Sequence, residues 1–115
     1  MDECRSVAAE LAGAAASVSL LVVADGSARR TAKAPGYFDP RAEPYDRSVE
    51  EAIAAGELGA LRDLDPGLAD ELMASGWAPL QVLSAAFMGN RPQTTVHYAD
   101  APYGVGYLVA TLTPA

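Results

Sequence analysis

From Val18 to Val23 the chain is apolar at every position except Ser19. Such an unbroken run predicts a strand buried on both faces. Asp25-Gly26-Ser27 follows as a turn signature, and in α/β proteins the carboxyl end of a buried strand is where ligands and catalytic groups gather. Upstream, alanine-rich sequence carries Val7, Leu11 and Ala15 at helical spacing, which predicts an amphipathic helix from Asp2 to about Ala16 despite Gly13. Downstream, the stretch from Ala28 to Pro44 holds three prolines, tandem arginines and Gly36-Tyr37-Phe38. It reads as a long loop beside the strand end, either a binding loop or a surface crossover with Tyr37 and Phe38 tucked into the core.

The second half reads as helices followed by a hairpin. Ser48 and Glu51 have capping-box spacing, with Val49, Ala52 and Ile53 forming an apolar helix face that Gly56 closes. A short helical piece, Leu58 to Leu64, follows. Asp65-Pro66 then supplies an N-cap and first helical residue, with Leu68, Leu72 and Met73 directed inward and Gly76 as the stop. Pro79 opens another helix whose Leu80, Leu83, Ala86 and Phe87 face the core, ended by Gly89-Asn90-Arg91-Pro92. Gln93 to Ala99 alternates as a half-exposed strand, and a turn from Asp100 to Gly104 leads into a second buried strand, Val105 to Leu112. The expected architecture is α/β over a single domain, 1–115. It is a partial three-layer domain, with a small mixed sheet of about three strands flanked by helices.

Charge and composition narrow the function classes. A net charge of −7 argues against nucleic acid or an anionic membrane as partner. The apolar block before Ala24 follows Asp2 and Glu3 rather than a basic region and is too short to span a bilayer, so a cytoplasmic location is expected. Cys4 is the single cysteine, which rules out an internal disulfide and fits a reducing compartment. His97 is the single histidine, so a self-contained metal site is not expected. Trp77 reads most simply as a core or interface anchor.

Asp25, Ser27, Arg29 and Arg30 bring a carboxylate, a hydroxyl and two guanidinium groups to the end of the first strand. That set suits a small anionic or hydroxylated ligand, or else a capped turn with solvated arginines. Ser27 lacks the flanking glycines of a nucleophile elbow. His97 near Asp100 matches either a general base oriented by a carboxylate or a plain strand residue. The acids Asp63, Asp65, Asp70 and Glu71 fall mostly near a helix start, where negative charge favours the helix dipole. Gly104 and Gly106 permit close backbone approach beside Asp100 and Tyr103, and this tip faces the Asp25 turn if the two buried strands are neighbours. The expected ligand-binding residues are Asp25, Ser27, Arg29, Asp100 and Tyr103, with no catalytic residue and no metal ligand.

Taken together, VVADGSARRTAKAPGYFDPRAEPYD, LDPGLADELMASGWAPLQVLSAA and HYADAPYGVGYLVATL resemble the back half of a group of actinobacterial proteins. These are similar to the LigB-like class III extradiol ring-cleavage dioxygenases and, more distantly, to Memo proteins. The resemblance covers about Ser17 to Leu112 and implies the C-terminal half of that domain. In active members, non-haem Fe(II) is held by two histidines and a glutamate, and a further histidine assists catechol oxidation. This chain departs from that pattern. The metal histidines belong to the front half, which is not in this sequence. Ala28 follows Ser27 where the acid/base histidine is expected, and Leu80-Gln81 stands where the glutamate is expected. The resemblance therefore implies the fold, while the departures argue against the reaction.

The expected function is a degenerate, non-catalytic domain without cofactor that binds a small molecule or a protein partner through the Asp25 and Asp100 turns. One alternative is part of an Fe(II) dioxygenase completed by a front-half polypeptide, in which Asp25, Ser27, Arg29 and Tyr103 position a phenolic substrate. The other is a structural subunit that completes a partner's sheet, so a homo-oligomer or a front-half partner is expected.

Overall fold

The computed structural model describes residues 2–114. Its elements are helix α1 (Asp2–Ala12), helix α2 (Ala42–Ala55), a 3₁₀ turn (Leu58–Asp63), helix α3 (Pro66–Glu71), helix α4 (Trp77–Ala86) and strands β1 (Pro92–Asp100) and β2 (Tyr107–Pro114). The class is α/β, a small sheet with helices packed around it. Among the described residues the sheet has two antiparallel strands rather than about three, paired from Pro92↔Pro114 to Asp100↔Tyr107. No helix among them is long and apolar enough to cross a membrane.

The expected buried strand Val18 to Val23 does not form. This segment has no regular secondary structure, and among the described residues no backbone group from 15 to 24 is hydrogen-bonded to another backbone group. Val22 and Ala24 pack against the core, but Leu21 is 91% exposed and Val23 75% exposed. The physical reason is the lack of a neighbour. An apolar run becomes a two-faced strand only when other backbones take up its ladder and other layers cover both faces, because β preference is largely a packing preference.

Helix α2 begins at Ala42, six residues before the expected cap. Pro44 is tolerated because it lies in the first turn, where amides lack intrahelical partners anyway. Ser48 therefore sits inside the helix, its Oγ donating to the Tyr45 carbonyl at 2.7 Å, and there is no capping box. Gly56 ends the helix as expected, at φ 70° with its amide on the Ile53 carbonyl. Asp65 caps α3 as expected, its Oδ1 accepting from the Gly67 amide at 2.8 Å. Asp65→Ala should cost about 1 kcal/mol by chemical denaturation. Met73 points outward rather than inward, because α3 stops at Glu71 and Met73 takes φ 55°. Gly76 precedes α4 instead of stopping α3, and Pro79 falls in the first turn of α4.

Two apolar clusters hold these elements. One joins Ala52 and Ile53 of α2, Leu58 and Leu61 of the 3₁₀ turn, and Leu80 and Leu83 of α4, with Leu108, Ala110 and Leu112 of β2 partly covering it. The other gathers Ala42, Tyr45, Ala69, Leu72 and Ala74, with Trp77 packed against it. Trp77 acts as the expected anchor, its Nε1 donating to the Leu64 carbonyl at 3.1 Å. Tyr37 and Phe38 are not in the core; they stand exposed on the loop before α2.

Candidate functional site

Asp46 gathers the site. It lies one turn into α2 and is buried, with a carboxylate that accepts from the Ser27 amide at 2.8 Å and from Ser27 Oγ at 2.7 Å. Arg30 Nη1 adds a third bond at 3.2 Å, so charge and hydrogen bonds together offset the burial of the carboxylate. Beside it the Asp25 turn and the tip before β2 are stitched backbone to backbone. Gly26 donates to the Gly106 carbonyl at 3.1 Å, Gly106 to the Ser27 carbonyl at 2.9 Å, and Arg30 to the Gly104 carbonyl at 3.0 Å. The tip thus faces the Asp25 turn, although β2 and 18–23 do not pair as strands.

Gly104 and Gly106 allow this approach. Gly104 has φ 78°, and a Cβ on Gly106 would stand 2.7 Å from Asp46 Cγ.

Beyond this lock opens a cleft of about 760 Å³. Its walls are Val18, Leu20 and Val22 on one side, Val49 and Ile53 of α2, Leu80, Leu83 and Phe87 of α4, and Leu108, Ala110 and Leu112 of β2. Asp25, Asp46, Glu50 and Tyr107 also line it. Asp46, Glu50 and Ile53 share one helical face, so the carboxylates stand on the same stripe as the apolar wall. The volume falls within the usual range of small-molecule sites, which are mostly apolar with a few placed polar groups.

Burial holds the Glu50 carboxyl above its ordinary pKa of 4.5; Arg30 and Arg47 oppose this, and Asp46 and Asp100 reinforce it. The folded state therefore binds its proton more tightly than the unfolded chain, so this group's contribution to stability falls as pH rises above about 4.5. Glu50→Gln should raise the melting temperature at about pH 7 and matter little at about pH 4, as thermal melts at both would reveal.

The expected site residues divide. Asp25 is exposed at the rim of the cleft, while its backbone carbonyl accepts from Gly76 at 3.1 Å. Ser27 is fully buried and committed to Asp46. Arg29 is turned to the end of α3 and the loop before α2, donating to the Glu71 carbonyl at 2.9 Å and lying 3.6 Å from Asp39. Asp39 is held in turn by Arg41, which lowers its pKa to about 2. Asp100 closes its own turn, accepting from the Ala101 amide at 2.7 Å, and Tyr103 is 76% exposed. His97 sits at a bulge in β1 with Nε2 2.8 Å from Thr111 Oγ1.

Asp46 and Glu50 were missed by sequence reasoning. Their signal is helical spacing with Val49 and Ile53, and it is concealed once the start of α2 is set at Ser48. Of the positions where the resemblance expects catalytic groups, Ala28 and Gln81 do not line the cleft, and Leu80 lines it only as an apolar wall. Ala28 is buried with its amide on the Leu72 carbonyl, and Gln81 is buried with Nε2 donating to the Leu61 carbonyl at 2.7 Å.

No protein-family model and no curated protein matches the chain.

Proposed function

We propose that this chain is a non-catalytic ligand-binding domain of the class III extradiol dioxygenase type, taking a small, largely apolar molecule in the cleft between the 18–24 segment, α2, α4 and β2. The observation that carries this reading is the apolar cleft of about 760 Å³, open beside a rigid, hydrogen-bonded lock. In this reading the role of Asp46 and Ser27 is to fix the shape of the cleft. Asp25 offers a polar contact at its rim. The reading includes a cytoplasmic setting and no bound metal.

A neutral, environment-sensitive dye such as Nile red tests it. Saturable one-to-one fluorescence enhancement is expected, abolished by Ala110→Trp, which fills the cleft. Absence of saturable binding contradicts the reading. Chain incubated anaerobically with Fe(II) and freed of excess metal should hold well under one iron per chain and take up no oxygen with protocatechuate. Stoichiometric iron with oxygen uptake would overturn the non-catalytic assignment.

A specific observation favours a second reading, a structural component that completes its sheet against a partner chain. Leu21 and Val23 are exposed on a segment whose backbone groups have no backbone partners among the described residues, which leaves those groups free to pair with another chain's strand. Sedimentation decides this: a dimer dispersed by Leu21→Lys supports it, and a stable monomer opposes it.

A further inference from the structure

We propose that the molecule bound in the cleft carries a cationic group, such as a protonated amine, on an apolar body. This rests on the cleft being a ligand site. Three charged side chains line it, Asp25, Asp46 and Glu50, and all three are carboxylates; no lysine, arginine or histidine is among the lining residues. Asp46 is already matched by Arg30 at 3.2 Å and by Ser27. Asp25 and Glu50 make no ion pair with any arginine or lysine among the described residues. Glu50 is half-buried, so part of its hydration is already lost, and an entering cation recovers charge stabilisation in a medium less screening than water. An entering anion meets three carboxylates on a chain whose net charge is −7. The walls formed by Ile53, Leu83, Phe87 and Leu108 are aliphatic and aromatic, and the other polar side chains of the lining, such as Asn90 and Thr111, are uncharged, so the rest of the molecule is largely apolar and carries no second charge.

Three probes with one skeleton separate the charge from the body: 4-phenylbutylamine, 4-phenylbutanol and 4-phenylbutyrate. Each is titrated into the full chain and followed by amide chemical shifts in ¹⁵N-labelled protein. The amine should bind about 10-fold or more tighter than the butyrate, with the alcohol between them. In Glu50→Gln the amine's advantage over the alcohol should largely vanish, and Asp25→Asn should reduce it. Butyrate binding as tightly as the amine overturns the cationic assignment while leaving the cleft as a ligand site. An advantage unchanged in both variants overturns it as well. If none of the three binds, the ligand-site reading fails and this inference falls with it.

Discussion

Asp46→Ala should destabilise the chain by about 3 kcal/mol, seen as a lower midpoint of urea unfolding. The substitution strips Ser27 of the acceptor for both its amide and its hydroxyl. Ser27 is 0% exposed, so water does not readily replace the carboxylate. Arg30 also loses its partner, but its side chain is 21% exposed, which lets solvent recover part of that loss. Asp46→Asn keeps one acceptor oxygen and should cost less than the alanine variant. The loss reaches the cleft because Ser27 lies next to Gly26, whose amide is joined to Gly106 at the cleft wall. A loosened lock should therefore weaken dye binding even at temperatures where the variant remains folded.

Gly106→Ala should cost about 2–3 kcal/mol, because a Cβ has no room there. It would lie 2.7 Å from Asp46 Cγ and closer still to Oδ2. A flexible side chain in solvent would swing aside. This carboxylate is held by three hydrogen bonds and can retreat only by breaking them. The two substitutions are consequently coupled. In the Asp46→Ala background the carboxylate is gone, so Gly106→Ala should cost at least about 1 kcal/mol less than in the parent chain. A full double-mutant cycle by denaturation measures this, and strict additivity would show that the clash and the lock are unrelated.

How much of this was legible in the sequence varies with the kind of signal. Local signals served well. Asp65-Pro66 opens α3, Gly56 closes α2, and the alternation after Pro92 marks a hairpin. The Gly104–Gly106 tip does meet the Asp25 turn, but not through the expected pairing of two buried strands: the backbones of tip and turn bond directly in the space the glycines leave. Signals that depend on a distant partner served poorly. The Val18 to Val23 run has the composition of a central strand, but a strand exists only with its neighbours, and here no backbone among the described residues pairs with it while Leu21 and Val23 face solvent. Ser27 was read as a ligand contact, whereas it is the donor that fastens Asp46. That distinction turns on a pairing across 19 residues, which no spacing rule reveals. Ser48 concealed the true start of α2, and with it the alignment of Asp46 and Glu50 with Val49 and Ile53.

In the proposed function the cleft, rather than the outer face of the 18–24 segment, receives a small molecule. Amide shift mapping of the ¹⁵N-labelled chain during titration with the neutral probe 4-phenylbutanol tests this most directly. Saturable, single-site shifts are expected, concentrated at Val22, Ala24, Leu83, Leu108 and Ala110, residues that line the cleft. Shifts confined to Val23 and Tyr103 on the exposed surface, or no saturable shift at all, would contradict it.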